Sequence, residues 1–127
     1  MNKITVEQLI DKATQSDRDK LKFKEVDSAV LGGKLVIKKI PLVEVISLVD
    51  GLNENPGASE ALEMEKELIY KCCPILNNKE LQDAYECVEP YDIVLHVFDE
   101  NMGEINRISE IILGMYGLSD NIDNIKN

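Results

Sequence analysis

The sequence predicts an α+β fold that is predominantly helical, with an N-terminal helix, one β-hairpin and then four to five helices. Apolar residues recur at helical spacing near both ends of the chain. Residues 21–40 instead alternate apolar and charged side chains around a glycine pair, and a proline or an asparagine precedes most later apolar segments. With 127 residues, 44% of them hydrophobic, the chain can bury one core without metals or disulfides. We therefore expect a single globular domain over 1–117 and a flexible C-terminal tail over 118–127.

Local patterns predict each element. Thr5 and Gln8 have the T-x-x-Q spacing of a capping box, which favours a helix after Thr5. The pair Gly32-Gly33 accepts positive φ angles and predicts a two-residue hairpin turn, although Asp27-Ser28 leaves a bulge or a shorter first strand open. Pro41 suits the first turn of a helix, while the β-branched residues that follow keep a strand open. The predicted elements are a helix over 6–15, strands over 21–26 and 35–40, helices over 42–52, 59–73 and 77–85, a buried element over 91–98, and a last helix over 99–117.

Charge is unevenly distributed along the chain. The net charge is −10, and residues 80–127 carry 11 acids against two bases. Residues 18–39, in contrast, hold seven bases against three acids. A strongly acidic chain repels phosphate, so we expect no nucleic-acid partner. The asymmetry fits either an ordinary solvated surface or, as a sharper alternative, head-to-tail self-association or steering of a basic partner.

The chain shows no signature of a membrane protein or of an enzyme. Its apolar runs are shorter than a membrane span, and its start lacks the apolar core of a secretory signal, so we expect a cytosolic protein with no membrane partner. The only histidine, His96, lies in an apolar segment, and Cys72, Cys73 and Cys87 lack the C-x-x-C spacing of zinc and redox sites. We interpret them as packing residues with reduced thiols, and we predict no catalytic residues, no metal and no cofactor.

An apolar stripe on the last predicted helix is the strongest candidate for a binding surface. Ile105, Ile108, Ile112 and Met115 recur at helical spacing, and methionine adapts to varied partners. Such a stripe either belongs to the core or receives an amphipathic helix from another protein. We select these four residues as the predicted partner-binding site, with the neighbouring segment 91–98 as the alternative.

Residues 29–46 (AVLGGKLVIKKIPLVEVI) resemble the XkdN-like tail assembly chaperones of phages and defective prophages. The similarity lies in a strand, a glycine turn, a lysine-bearing strand before an aliphatic-proline pair, and acidic helical segments, and it is best over 21–50. The resemblance implies a non-enzymatic protein that binds the tape measure protein, keeps it soluble until tail tube subunits polymerise around it, and is not part of the mature virion. It also implies a location in the bacterial host cytoplasm and the tail tube protein as a second partner.

Three other interpretations remain at this stage. The protein could be a structural tail or baseplate component that pairs with neighbours, or with itself, through the edge of the hairpin. It could be a small cytosolic adaptor or regulator that binds one partner helix. An enzyme would need a cleft built from Asp, Glu and Tyr side chains.

Overall fold

The computed structural model describes residues 2–14 and 22–118 and confirms the predicted fold class. In these described residues, an α-helix comes before a two-stranded antiparallel hairpin, and five α-helices follow it, with two short 3₁₀ helices between them. The elements are α1 (Val6–Lys12), β1 (Phe23–Ser28), β2 (Gly33–Lys38), α2 (Leu42–Asp50), α3 (Ala58–Cys72), a 3₁₀ helix (Pro74–Leu76), α4 (Lys79–Ala84), a second 3₁₀ helix (Pro90–Asp92), α5 (Ile93–Val97) and α6 (Met102–Gly114). The predicted flexible tail lies outside the described residues, except for Leu118.

The hairpin differs from the prediction at its turn. Ser28 pairs with Gly33, so four residues, 29–32, connect the strands, and Gly33 belongs to β2. The prediction of a two-residue turn was wrong because only Gly32 has a positive φ, of 77°, and the backbone N–H of Gly32 donates to the Ser28 carbonyl at 2.9 Å. Val26 and Leu35 are cross-strand partners on the face that packs against the helices.

The helices begin and end where local chemistry favours it. Side-chain oxygens of Asn78 and Asn101 accept the backbone N–H of Leu81 and Glu104, which caps the N-termini of α4 and α6. Pro74 cannot continue α3 and starts the first 3₁₀ helix. Helix α3 is the central element, since it packs against α2, α5 and α6. The single core therefore lies between α3, α6 and the inner face of the hairpin.

Two groups of polar contacts hold the hairpin and Ile40 against α6 and the residues that follow it. Near the turn, the Ser28 hydroxyl donates to Glu104 Oε2 at 2.6 Å, and Arg107 donates both to Glu104 Oε1 at 2.7 Å and to the Asp27 carbonyl at 2.8 Å. At the open end, the Tyr116 hydroxyl accepts the N–H of Ile40 and donates to its carbonyl, each at 2.7 Å. Burial raises the pKa of Tyr116 to about 12, so the hydroxyl stays protonated and can make both bonds. These contacts align the hairpin along α6.

The Glu104 contact predicts a loss of stability in acid. The hydrogen bond from Arg107, helped by Ser28 and opposed by partial burial, lowers the pKa of Glu104 from 4.5 to about 2. Because the pKa of Glu104 is lower in the folded than in the unfolded state, its ionised carboxylate stabilises the fold fully above the unfolded-state pKa. This stabilisation is lost as the pH falls through the folded-state pKa. We expect the free energy of unfolding to fall by about 2 kcal/mol more between pH ~5 and ~2.5 in the wild type than in Glu104→Gln.

Urea unfolding at several pH values measures this difference. Glu110→Gln, an exposed change on the same helix, is the control and should retain the wild-type pH dependence. Equal pH dependence for the wild type and Glu104→Gln would show that the Ser28–Glu104–Arg107 contact does not stabilise the folded state.

Candidate partner-binding surface

The stripe selected from the sequence forms part of the core. Ile108 and Ile112 are fully buried and Ile105 is 1% exposed, because the face of α6 that carries them packs against α3. The prediction that these three residues contact a partner is therefore corrected: their surface is already covered by the chain itself. Met115 is half-buried at the end of the stripe. In the alternative segment 91–98, the side chains of Ile93, Val94 and Phe98 are fully buried as well.

Helix α1 presents the apolar surface that α6 does not. The capping box predicted from the sequence is present, since Gln8 N–H donates to Thr5 Oγ1 at 3.2 Å and Thr5 N–H donates to Gln8 Oε1 at 2.9 Å. None of the residues of α1 is buried, and the apolar side chains of Ile4, Val6, Leu9 and Ile10 are 56–74% exposed. A helix of seven residues is marginal without tertiary packing. A partner that covers this face would therefore stabilise the helix as well as the complex that it forms with this protein.

A second surface lies at the open end of the hairpin. An open cavity of about 540 Å³ is lined there by Lys22 and Lys39, by Leu42 of α2 and by Met115 and Tyr116 after α6. Lys39 Nζ lies 5.2 Å from the centre of the Tyr116 ring. This basic groove, defined by these five residues, combines an apolar floor with cationic sides, and one of the four sequence-predicted residues, Met115, contributes to it.

His96, Cys72 and Cys73, the residues with catalytic potential, pack against other side chains. His96 is half-buried and stacks on Tyr85 with a ring separation of 5.5 Å. Burial raises the pKa of the Cys72 thiol to about 11 and that of Cys73 to about 12, so both are protonated at neutral pH and poor nucleophiles. Within residues 2–14 and 22–118, no three His, Cys, Asp or Glu side chains come together as they would around a metal ion.

Sequence reasoning missed the open face of α1 and the basic groove. The helical spacing of the apolar residues in α1 is visible in the sequence, but no sequence pattern indicates what would cover that apolar face. The lysine excess of 18–39 was a partial signal for the groove. The apolar floor of the groove comes from α2 and from the residues after α6, and the latter are far away in the sequence.

Comparisons with known proteins identify no relative of this chain. None of the family models, curated proteins or solved structures matches the chain. In the described part of the chain, every helix is too short or too polar to cross a lipid bilayer.

Proposed function

We propose that this protein is a tail assembly chaperone that binds the tape measure protein of a phage or prophage until the tail tube polymerises. The observation that carries the proposal is the uncovered apolar surface formed by Val6, Leu9 and Ile10 of α1 and by Ile4 just before the helix. The resemblance of residues 29–46 to XkdN-like chaperones supports it, because that stretch forms the hairpin turn, the second strand and the first half of α2, which starts after Pro41.

The physical requirements of such a chaperone agree with this surface. A tape measure protein is a long helical rod whose apolar faces aggregate unless they are covered. A short amphipathic helix can lie along such a rod with its apolar side chains between those of the partner. Each contact is small and therefore weak, but many copies along one rod gain by avidity and can be displaced one at a time by tail tube protein. The net charge of −10 keeps the coated rod dispersed.

In this role the protein acts in the host cytoplasm and leaves before the particle is complete. Mass spectrometry of purified particles separates a chaperone from a structural tail component. The chaperone should be absent, whereas a stoichiometric amount in the particle would assign the protein to the tail itself.

The central test is co-expression with the tape measure protein of the same phage. We expect the double substitution Leu9→Gln and Ile10→Gln to reduce the soluble yield of the tape measure protein at least about fivefold, because the change removes the apolar contact and keeps residues of good helix propensity. The thermal midpoint of the variant alone should stay within about 2 °C of the wild type, since neither side chain is buried.

The matched control is Asp11→Gln with Lys12→Gln, two adjacent exposed positions on the same helix. This control should retain the wild-type soluble yield. A Leu9→Gln/Ile10→Gln variant that folds and still solubilises the tape measure protein fully would refute α1 as the contact surface. A wild-type protein that fails to raise the soluble yield at all would refute the function.

A further inference from the structure

The basic groove belongs to a group of three lysines for which the described residues show no carboxylate partner. A backbone hydrogen bond of 2.7 Å joins the Lys39 N–H to the Lys22 carbonyl, and Lys24 lies two residues further along, on the same side of the hairpin as Lys22. Lys38 lies on the opposite face, where its Nζ is 5.8 Å from the centre of the Phe23 ring. Within the described residues, no ion pair involves Lys22, Lys24 or Lys39. Like charges at one end of a hairpin repel one another, and an anionic partner relieves that repulsion.

The same molecule carries a surface of opposite charge and matching polarity. Residues 79–89 hold four acids, Glu80, Asp83, Glu86 and Glu89, against one lysine, Lys79, which pairs with Asp83 at 3.4 Å. Val88 lies between Glu86 and Glu89, neither of which forms an ion pair within the described residues. Its side chain is 93% exposed, the highest value among the large apolar side chains of that part of the chain. An apolar tip with flanking carboxylates complements an apolar floor with flanking lysines.

The backbone presents this tip in a defined shape. The N–H of Glu86 donates to the Asp83 carbonyl and the N–H of Cys87 donates to the Gln82 carbonyl, both at 3.0 Å, which is the hydrogen-bond pattern of a Schellman motif at the end of α4. Glu86 has a φ of 55° at the position where glycine is usual. The loop 85–89 is therefore ordered before binding and loses little conformational entropy when it docks.

We infer that the basic groove of one molecule binds the loop 85–89 of a second copy. Val88 enters the cavity against Leu42 and Met115, and Glu86 and Glu89 pair with Lys22 and Lys39. A second copy is the occupant because the complementary surface is part of the chain itself and is always present at the same concentration. An isolated anion would satisfy the lysines but leave the apolar floor uncovered. This self-association is independent of any tape measure protein.

The contact is small, so the association is weak, reversible and sensitive to salt. Analytical ultracentrifugation of the purified full-length protein up to about 1 mM should show concentration-dependent association. Raising the ionic strength from ~50 mM to ~500 mM should increase the dissociation constant at least about tenfold, because paired charges on an exposed rim are screened.

Charge reversal provides the decisive test. The groove variant Lys22→Glu/Lys39→Glu and the loop variant Glu86→Lys/Glu89→Lys should each be monomeric at concentrations where the wild type associates. An equimolar mixture of the two should associate in one-to-one proportion, because the loop of the groove variant meets the unchanged groove of the loop variant and the two reversed surfaces again carry opposite charges. Circular dichroism confirms that each variant is folded.

Two control variants carry the same charge changes elsewhere. Lys12→Glu/Lys34→Glu and Glu54→Lys/Glu110→Lys alter exposed positions outside both surfaces and should associate as the wild type does. A wild type that stays monomeric at about 1 mM, or a mixture of reversal variants that does not pair, overturns the proposal. A monomeric wild type whose groove binds a short oligonucleotide or inorganic phosphate assigns the groove to another anion and overturns it as well.

Discussion

Replacing Ile108 by aspartate should abolish the native fold. Ile108 is fully buried on the face of α6 that packs against α3. Truncating a buried isoleucine costs about 2–5 kcal/mol, and an unpaired carboxylate in the same place adds several more. This total is comparable to the whole stability of a domain of this size, about 5–15 kcal/mol. Urea unfolding followed by circular dichroism should show either no folded baseline or a strongly lowered midpoint.

A graded series separates this effect from a general effect of charge. Ile108→Val should lower the free energy of unfolding by about 0.5–1.5 kcal/mol. Ile75→Asp, at an exposed position of the first 3₁₀ helix, should lower it by less than about 1 kcal/mol. An Ile108→Asp protein with the wild-type urea midpoint would contradict the burial of this face. Because Ile108→Asp removes the fold, it gives no information on partner binding, and substitutions in α1 are the proper test.

Replacing Asp92 by alanine should lower the free energy of unfolding by about 2–4 kcal/mol. Replacing its partner Lys66 by methionine should lower it by less than about 1 kcal/mol. The side chain of Lys66 is only 8% exposed, and its Nζ contacts Asp92 at 2.6 Å and Glu63 at 3.0 Å. Burial alone would lower the pKa of Lys66, but the hydrogen bonds to Asp92 and Glu63 raise it above its ordinary value. The ammonium therefore stays charged in its buried position.

The two substitutions differ in what they leave behind. Asp92→Ala leaves a buried cation with one partner, the mostly exposed Glu63, while Lys66→Met fills the same space with an apolar side chain. The free energies of unfolding of the two variants, measured in urea, test the difference, and Glu63→Gln should lose less than about 1 kcal/mol. Equal instability of Lys66→Met and Asp92→Ala would contradict this expectation and show that the ion pair itself is a net stabilising interaction.

Helices α1 and α6 show how far the sequence predicts a binding surface. Both carry apolar residues at helical spacing, and both were predicted as helices with one apolar face. The apolar face of α6 is covered by α3, and that of α1 is left open. Periodicity describes one helix at a time, so it identifies the apolar face but not what covers that face. This is why the stripe at Ile105, Ile108 and Ile112 was assigned to a partner when it belongs to the core.

Long-range polar contacts were equally beyond sequence reasoning. Ser28 and Glu104 are 76 positions apart, as are Ile40 and Tyr116. In the sequence, Glu104 is one acid among 24, and nothing distinguishes it from the solvated ones. Only the position of the hairpin along α6 gives it a buried hydroxyl and an arginine as partners.

The sequence by itself determined the elements and their order: the capping box at Thr5, the hairpin, the proline before α2 and the asparagines that precede α4 and α6. These follow from interactions within a few residues, which the local sequence contains in full. The tertiary structure alone decided which apolar faces meet one another and which stay open, and where the lysines of the hairpin and the acids of 79–89 are displayed. Those outcomes depend on packing between segments far apart along the chain.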